Sequence, residues 1–508
     1  MTKKVLYDSI FVLITIIICH FLFSKYGFNP TDEGFVLSAT NRVLHGQIPH
    51  LDFSSVRPLG YAYLHIPELM FSKKYFFLIS RFVFWTEQVL IAYGWVYFIT
   101  KHKRCERYYT YILTVVCLIF NVHYFPCSVL HTIDGLLFCI IGWNIISSEK
   151  KWNIIGYFFI GFAALCKQNY LIVLPFAILI FGKKNTVLKS IIGITPIIIY
   201  VVFIALKGGF SDLLLQLSGH SELLKVGVGA YVLNPLWYLG ILVGCVFLIP
   251  YINHKFIVYI LWIYAIIILT TNHYHGKFIF LFFGIGCSLY IEKIITKKPT
   301  TSILVALLLA WAVSISVGYN TPSLFTGGLI VLLIYTVLPR PNKIILVLTF
   351  ATVIAFIYTR LHNIYRDCAA SQLLYPLDDL VEGANGIYTN KNTYTVLNAL
   401  DKLKKKNPNN IVVPDFTACN ILHAYQSKIL TEWPNKTEIP NNVILAKVTA
   451  NLLQDSAITI IVPIYQTALL KDGFTPFLNN GDDYAILSFV KKNYRQTDTT
   501  LYFKLYHH

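Results

Sequence analysis

Apolar residues recur in blocks of membrane-crossing length from residue 5 to about residue 360, and then the pattern changes character. A helix needs about 17–25 mostly apolar residues to cross lipid, where each backbone polar group must be satisfied within the segment. Thirteen spans are expected, near 5–23, 75–100, 109–125, 129–147, 153–166, 169–182, 187–206, 232–251, 256–271, 277–291, 302–318, 325–339 and 343–360. Two stretches between them are outer loops, at about 24–74 and 207–231. Beyond residue 360, segments 393–405 and 443–453 carry the helical period, whereas 410–414, 458–462 and 500–506 read as short strands. The expected fold is an α-helical multi-span membrane domain over 1–360, followed by a small α/β domain over 361–508. A sheet of three or four strands covered by helices suits the latter.

The first loop is not patterned like a solvated linker. Thr31 suits a helix N-cap, and Asp32 and Glu33 suit a first turn, where the helix dipole favours negative charge. Phe35, Leu37, Ala39, Val43 and Leu44 then give one apolar face for a helix at the membrane surface. A second apolar segment, 61–70, leads towards Arg81.

Composition agrees with this division. The 508 residues are 56% hydrophobic and only 13% charged, well below the quarter or so charged in soluble domains. The net charge of +17 invites a nucleic-acid partner, but its distribution excludes one. Residues beyond 360 hold 14 basic against 13 acidic side chains, so the excess lies in the first 360, with 28 basic and 12 acidic. Seventeen of those 28 fall where a cytoplasmic amino terminus and thirteen spans put the cytoplasm. The excess therefore sets topology in the cell membrane and places the carboxyl-terminal part outside the cytoplasm. The first segment, though preceded by Lys3 and Lys4, is too long for a signal-peptide core and lacks a small-residue cleavage site, so it reads as a span. The ten cysteines show no metal-ligand spacing, and Cys368 and Cys419 read as unpaired thiols.

Acids are scarce in the membrane half, which makes the adjacent pair Asp32 and Glu33 at the outer boundary a candidate for chemistry. Asp134, in His131-Thr132-Ile133-Asp134-Gly135, opens the fourth span, and an ionisable group there costs roughly 2.5–3.5 kcal/mol unless it faces a polar cavity. Lys167 lies on the outer side against the positive-inside trend, and His273, His275 and Lys277 share another outer turn. Asn435-Lys436-Thr437 is a glycosylation sequon by pattern alone.

The run Asp32-Glu33-Gly34, the amphipathic helix after it, Gly46-Gln47-Ile48-Pro49, Asp52, Arg57-Pro58 and Arg81 resembles the first loop of the GT-C glycosyltransferases. Within that superfamily it looks closest to the protein O-mannosyltransferase and lipid A aminoarabinose transferase-like families. Leu59 stands where those families usually have a second proline. The resemblance implies an inverting glycosyltransferase that takes sugar from a polyprenyl-phosphate carrier at the non-cytoplasmic face. The acceptor is a glycan, lipid or protein hydroxyl. It implies Asp32 as the base, with Glu33 in support, and Arg57, Lys167, His273, His275 and Lys277 as donor-phosphate contacts. Asp134 and Arg81 would orient acceptor or phosphate, and a divalent metal, if used, would meet Asp134. The chemistry is coherent by itself. A carboxylate takes the acceptor proton, while the phosphate leaving group needs cations and no opposing acid. A polysaccharide flippase, polymerase or ligase of another membrane family is the competing expectation.

Overall fold

The computed structural model describes every residue except 1–2, 31, 102–104, 124, 149–150, 183, 220, 272–275, 299–300, 316–320, 408–409, 413–415, 433–438, 455–456 and 465–484. The Thr31 cap, His273, His275 and the sequon at Asn435 therefore lie outside the described residues.

Helices make up most of the described part of the first 360 residues. In chain order come α1 (Lys3–Phe23), α2 (Gly34–Leu44), α3 (Gly60–Leu64), α4 (Ile66–Phe71), α5 (Phe76–Thr100) and α6 (Arg107–Val122). Next are α7 (His131–Ile146), α8 (Ile155–Cys166), α9 (Val173–Phe181), α10 (Thr186–Leu206), α11 (Phe210–Ser218) and α12 (Ser221–Leu233). The series closes with α13 (Pro235–Cys245), α14 (His254–Thr270), α15 (Ile279–Ile295), α16 (Thr301–Ser314), α17 (Thr326–Val337) and α18 (Lys343–His362).

Thirteen spans are not what the helix lengths support. Among the described residues α1, α5, α10 and α18 are each long and apolar enough to cross a membrane, and the bent pair 225–233 with 235–248 makes a fifth if counted as one span. The other apolar segments are broken into helices of ten to seventeen residues. Apolar periodicity reports burial, and a helix buried among other helices needs no membrane-spanning length. The apolar surface is nevertheless extensive: only three of the 21 residues of α1 and four of the 21 of α10 are buried, and Leu13, Phe21, Ile199, Val347 and Phe350 face outward. Such surface calls for lipid.

The second expected loop, at about 207–231, carries α11 and α12. In α11, Leu213 and Gln216 point inward, and the Gln216 side chain accepts from Ser55 N at 3.0 Å and donates to His50 O at 2.9 Å. This helix therefore braces the first loop from behind.

The carboxyl-terminal part holds a short hairpin, β1 (Tyr375–Pro376) with β2 (Tyr388–Thr389), then α19 (Lys391–Lys406). A four-stranded sheet follows, from β3 (Asn410–Val412), β4 (Thr459–Pro463), β5 (Arg495–Thr499) and β6 (Phe503–His507), with α20 (Asn442–Thr449) and α21 (Ala485–Asn493). Its order is β3-β4-β6-β5, parallel between β3 and β4 and antiparallel elsewhere. The three expected strands are present; β5 is the addition. All of its residues are exposed, so it lacks the buried alternation by which a strand is read.

Among the contacts that join this part to the first loop are two at the ends of α2. Arg42, buried near the end of α2, donates to Ile429 O at 2.7 Å and to Gln47 Oε1 at 3.0 Å. At the other end of α2, Ala418 N donates to Pro30 O at 2.8 Å. A Cβ at Gly34 would come within 2.2 Å of Ala418 N, so only glycine lets the 3₁₀ segment Thr417–Gln426 lie this close to α2.

Candidate active site

The two acids that adjoin in sequence part company in space. The expected first helical turn is absent, because α2 begins at Gly34, after both of them. Their carboxylates are held by tertiary partners instead.

Asp32 stands at the lip of the site with its side chain 15% exposed. Asn29 holds it reciprocally: the Asn29 amide donates to Asp32 Oδ2 at 3.1 Å, and Asp32 N donates to Asn29 Oδ1 at 3.2 Å. Tyr365 Oη donates to the same Oδ2 at 2.8 Å, and Arg366 Nη1 lies 3.6 Å from it. Both reach in from the segment after α18. Behind them, Asp367 fixes that segment by accepting from Phe28 N at 3.1 Å and Asn390 Nδ2 at 2.6 Å. Burial raises the Asp367 carboxyl above its usual range although these hydrogen bonds oppose the shift.

Glu33 turns inward. Arg81 Nη2 lies 2.6 Å from Glu33 Oε1 and also donates to Gly27 O at 2.6 Å, while Nη1 donates to Ser24 O. Arg81 thus pairs with an acid of the loop and does not reach for the interface. Burial pushes the Glu33 carboxyl up to about 7 despite the opposing pull of Arg81. A raised carboxyl favours the folded state when protonated. That contribution is complete below the unfolded pKa near 4.5 and is lost as pH rises through about 7. Melting of purified protein is therefore expected to show a wild-type loss of roughly 3 kcal/mol from pH 4.5 to pH 8 that Glu33→Gln lacks. Equal pH profiles for the two proteins would contradict the assignment.

A basic group lies on the other side of α2. The Arg57 guanidinium sits 5.0 Å from the Phe35 ring, and the rings of Phe35 and Tyr61 each lie 5.5 Å from His131. Lys167, between α8 and α9 and 4% exposed, donates to Thr132 Oγ1 at 3.1 Å. Phe35 N bonds to Asp32 O at 3.4 Å, so one turn of backbone and one aromatic ring connect the acid to the cations. Gly135 is needed beside them: a Cβ there would meet the Tyr170 ring at 2.2 Å, and Tyr170 Oη caps Thr132 O. The leucine in the usual proline position has a use as well. Leu59 N donates to Tyr200 Oη at 3.2 Å, a bond proline cannot make.

Asp134 belongs to a third group, deeper in the molecule. Its oxygens lie 3.3 and 3.4 Å from His65 Nε2, and His65 Nδ1 meets Glu68 Oε1 at 2.6 Å. Glu87, from the middle of α5, brings another carboxylate to the same point. Of the residues singled out from sequence, Asp32, Arg57 and Lys167 gather around α2 and the start of α7, while Glu33 and Arg81 form a supporting ion pair. Lys277 is exposed on the turn Gly276–Phe278 and takes part in none of these contacts.

Several members were missed. Tyr365 and Arg366 lie 333 residues or more from Asp32, and nothing local in their sequence marks them. Glu87 did carry a signal, as a carboxylate inside an apolar run. No family model, curated protein or solved structure matches this chain.

Proposed function

We propose that the chain is a membrane glycosyltransferase of the GT-C type, moving a sugar from a polyprenyl-phosphate carrier to an acceptor hydroxyl at the non-cytoplasmic face. The observation that carries this reading is the arrangement about α2. A partly exposed carboxylate, Asp32, stands at one end, and two cations, half-buried Arg57 and buried Lys167, lie by the adjoining turn.

Each part has a chemical task. Tyr365 and Asn29 both hold Oδ2 of Asp32, leaving Oδ1 to take a proton from the acceptor as its oxygen attacks the anomeric carbon. Arg57 and Lys167 stabilise the negative charge on the departing polyprenyl phosphate, in a setting shielded from water where cations act strongly. Attack opposite the leaving group inverts the anomeric configuration. One carboxylate serves here, unlike the pair needed to hydrolyse a glycoside. The exposed apolar faces of α1 and α10 suit a lipid-borne donor.

Mass spectrometry of envelope glycans, lipids and glycoproteins, with and without the gene, tests this. The expected result is loss of one sugar from one acceptor class and accumulation of its polyprenyl-phosphate donor. An unlabelled, full-length lipid-linked polymer stranded on the cytoplasmic leaflet would instead favour a flippase.

A further inference from the structure

The His65 group holds more negative charge than the described side chains around it balance. His65 joins α3 to α4, Glu87 comes from α5 and Asp134 from the first turn of α7, so three separate elements converge. Their exposures are 1%, 8% and 0%, and one ligand atom from each lies within 4.8 Å of the others. Glu68, 3% exposed, adds a third carboxylate against a single imidazole. Glu87 Oε2 and Asp134 Oδ1 are buried and accept no hydrogen bond. Buried carboxylates left in this state are normally paired or coordinate a metal.

The geometry around the imidazole favours the metal. Glu68 holds Nδ1 at 2.6 Å, which leaves Nε2 facing Asp134 and Glu87. A carboxylate on the far nitrogen is the usual means of orienting a metal-binding histidine. A proton shared between two carboxylates satisfies one pair of oxygens, whereas a cation engages all three groups at once. We infer that His65, Glu87 and Asp134 bind one divalent cation, with Glu68 orienting His65. The mixed nitrogen and oxygen donors select a first-row ion such as Zn²⁺ or Mn²⁺ over Mg²⁺ or Ca²⁺. Because all three groups are buried and come from separate elements, the ion's task is structural and independent of sugar transfer: it pins the α3–α4 turn to α5 and α7.

The test uses the full chain purified in detergent from cells supplied with Zn²⁺ and Mn²⁺. Elemental analysis should find about one equivalent of one of these metals, with Glu87→Gln and Asp134→Asn each reducing it roughly tenfold or more. Stripping with a chelator should lower the melting temperature, and Zn²⁺ or Mn²⁺ alone should restore it. Glu68→Gln can still bond to His65 Nδ1, so it should retain the metal at reduced affinity. If a variant fails to fold, the wild-type metal content and chelator response still decide. A wild-type protein with no bound metal and a melting temperature indifferent to chelator and added ion would overturn the inference. So would a folded Glu87→Gln variant that keeps the full equivalent.

Discussion

Asp32→Asn is expected to reduce sugar transfer by about 10²–10⁴-fold while leaving the fold intact. Asparagine can still accept from Tyr365 and the Asn29 amide at the position of Oδ2, so the local hydrogen bonds survive. What disappears is the group that accepts the proton. The measurement is single-turnover transfer from a defined polyprenyl-phosphate sugar, with melting temperature as the control for folding. Donor binding should change little, because Arg57, the proposed phosphate contact, lies on the other side of Phe35. A folded variant with full turnover would remove Asp32 from the chemistry.

The neighbouring acid should behave in the opposite way. Arg81→Met is expected to destabilise the protein by about 3–5 kcal/mol, since it strands a buried acid together with the carbonyls of Ser24 and Gly27. Glu33→Gln should cost no more than about 1 kcal/mol, because the amide oxygen can still accept from Arg81 and a buried charge is removed. Chemical or thermal unfolding in detergent checks both. If Glu33→Gln unfolds the protein as readily as Arg81→Met, the guanidinium is not the organising partner. If Glu33→Gln loses transfer at unchanged stability, Glu33 acts in the reaction and not in the frame.

How much of this was legible beforehand follows from the range of the forces involved. The small α/β domain could be read because each of its main strands has a buried face, as in β4, where all five residues are buried. The count of spans could not, because burial among helices and burial in lipid leave the same apolar periodicity. Asp32 and Lys167 stood out because charge is scarce around them and each is costly to place near lipid, whereas Arg57 stood out through the resemblance of the first loop. Glu33 read as an acid in support of Asp32, and its actual partner, Arg81, lies forty-eight residues along the chain. Tyr365 and Arg366 were invisible for a plainer reason. An ordinary tyrosine and arginine acquire meaning from what they touch, and what they touch is at the other end of the polypeptide.

That separation bears on how the protein is made. The first loop leaves the ribosome early, but its partners at Tyr365, Ala418, Ile429 and Glu432 are synthesised more than three hundred residues later. Contacts so distant in sequence form slowly, after the intervening chain has been ordered. Throughout that interval Arg42 and Ser55 must wait for Ile429 and Glu432. The surroundings of Asp32 and α2 are thus a late product of biosynthesis, assembled only when the carboxyl-terminal part of the polypeptide has folded. A nascent or truncated chain that lacks the carboxyl-terminal part has the helices without the contacts that hold Asp32 and α2 in place.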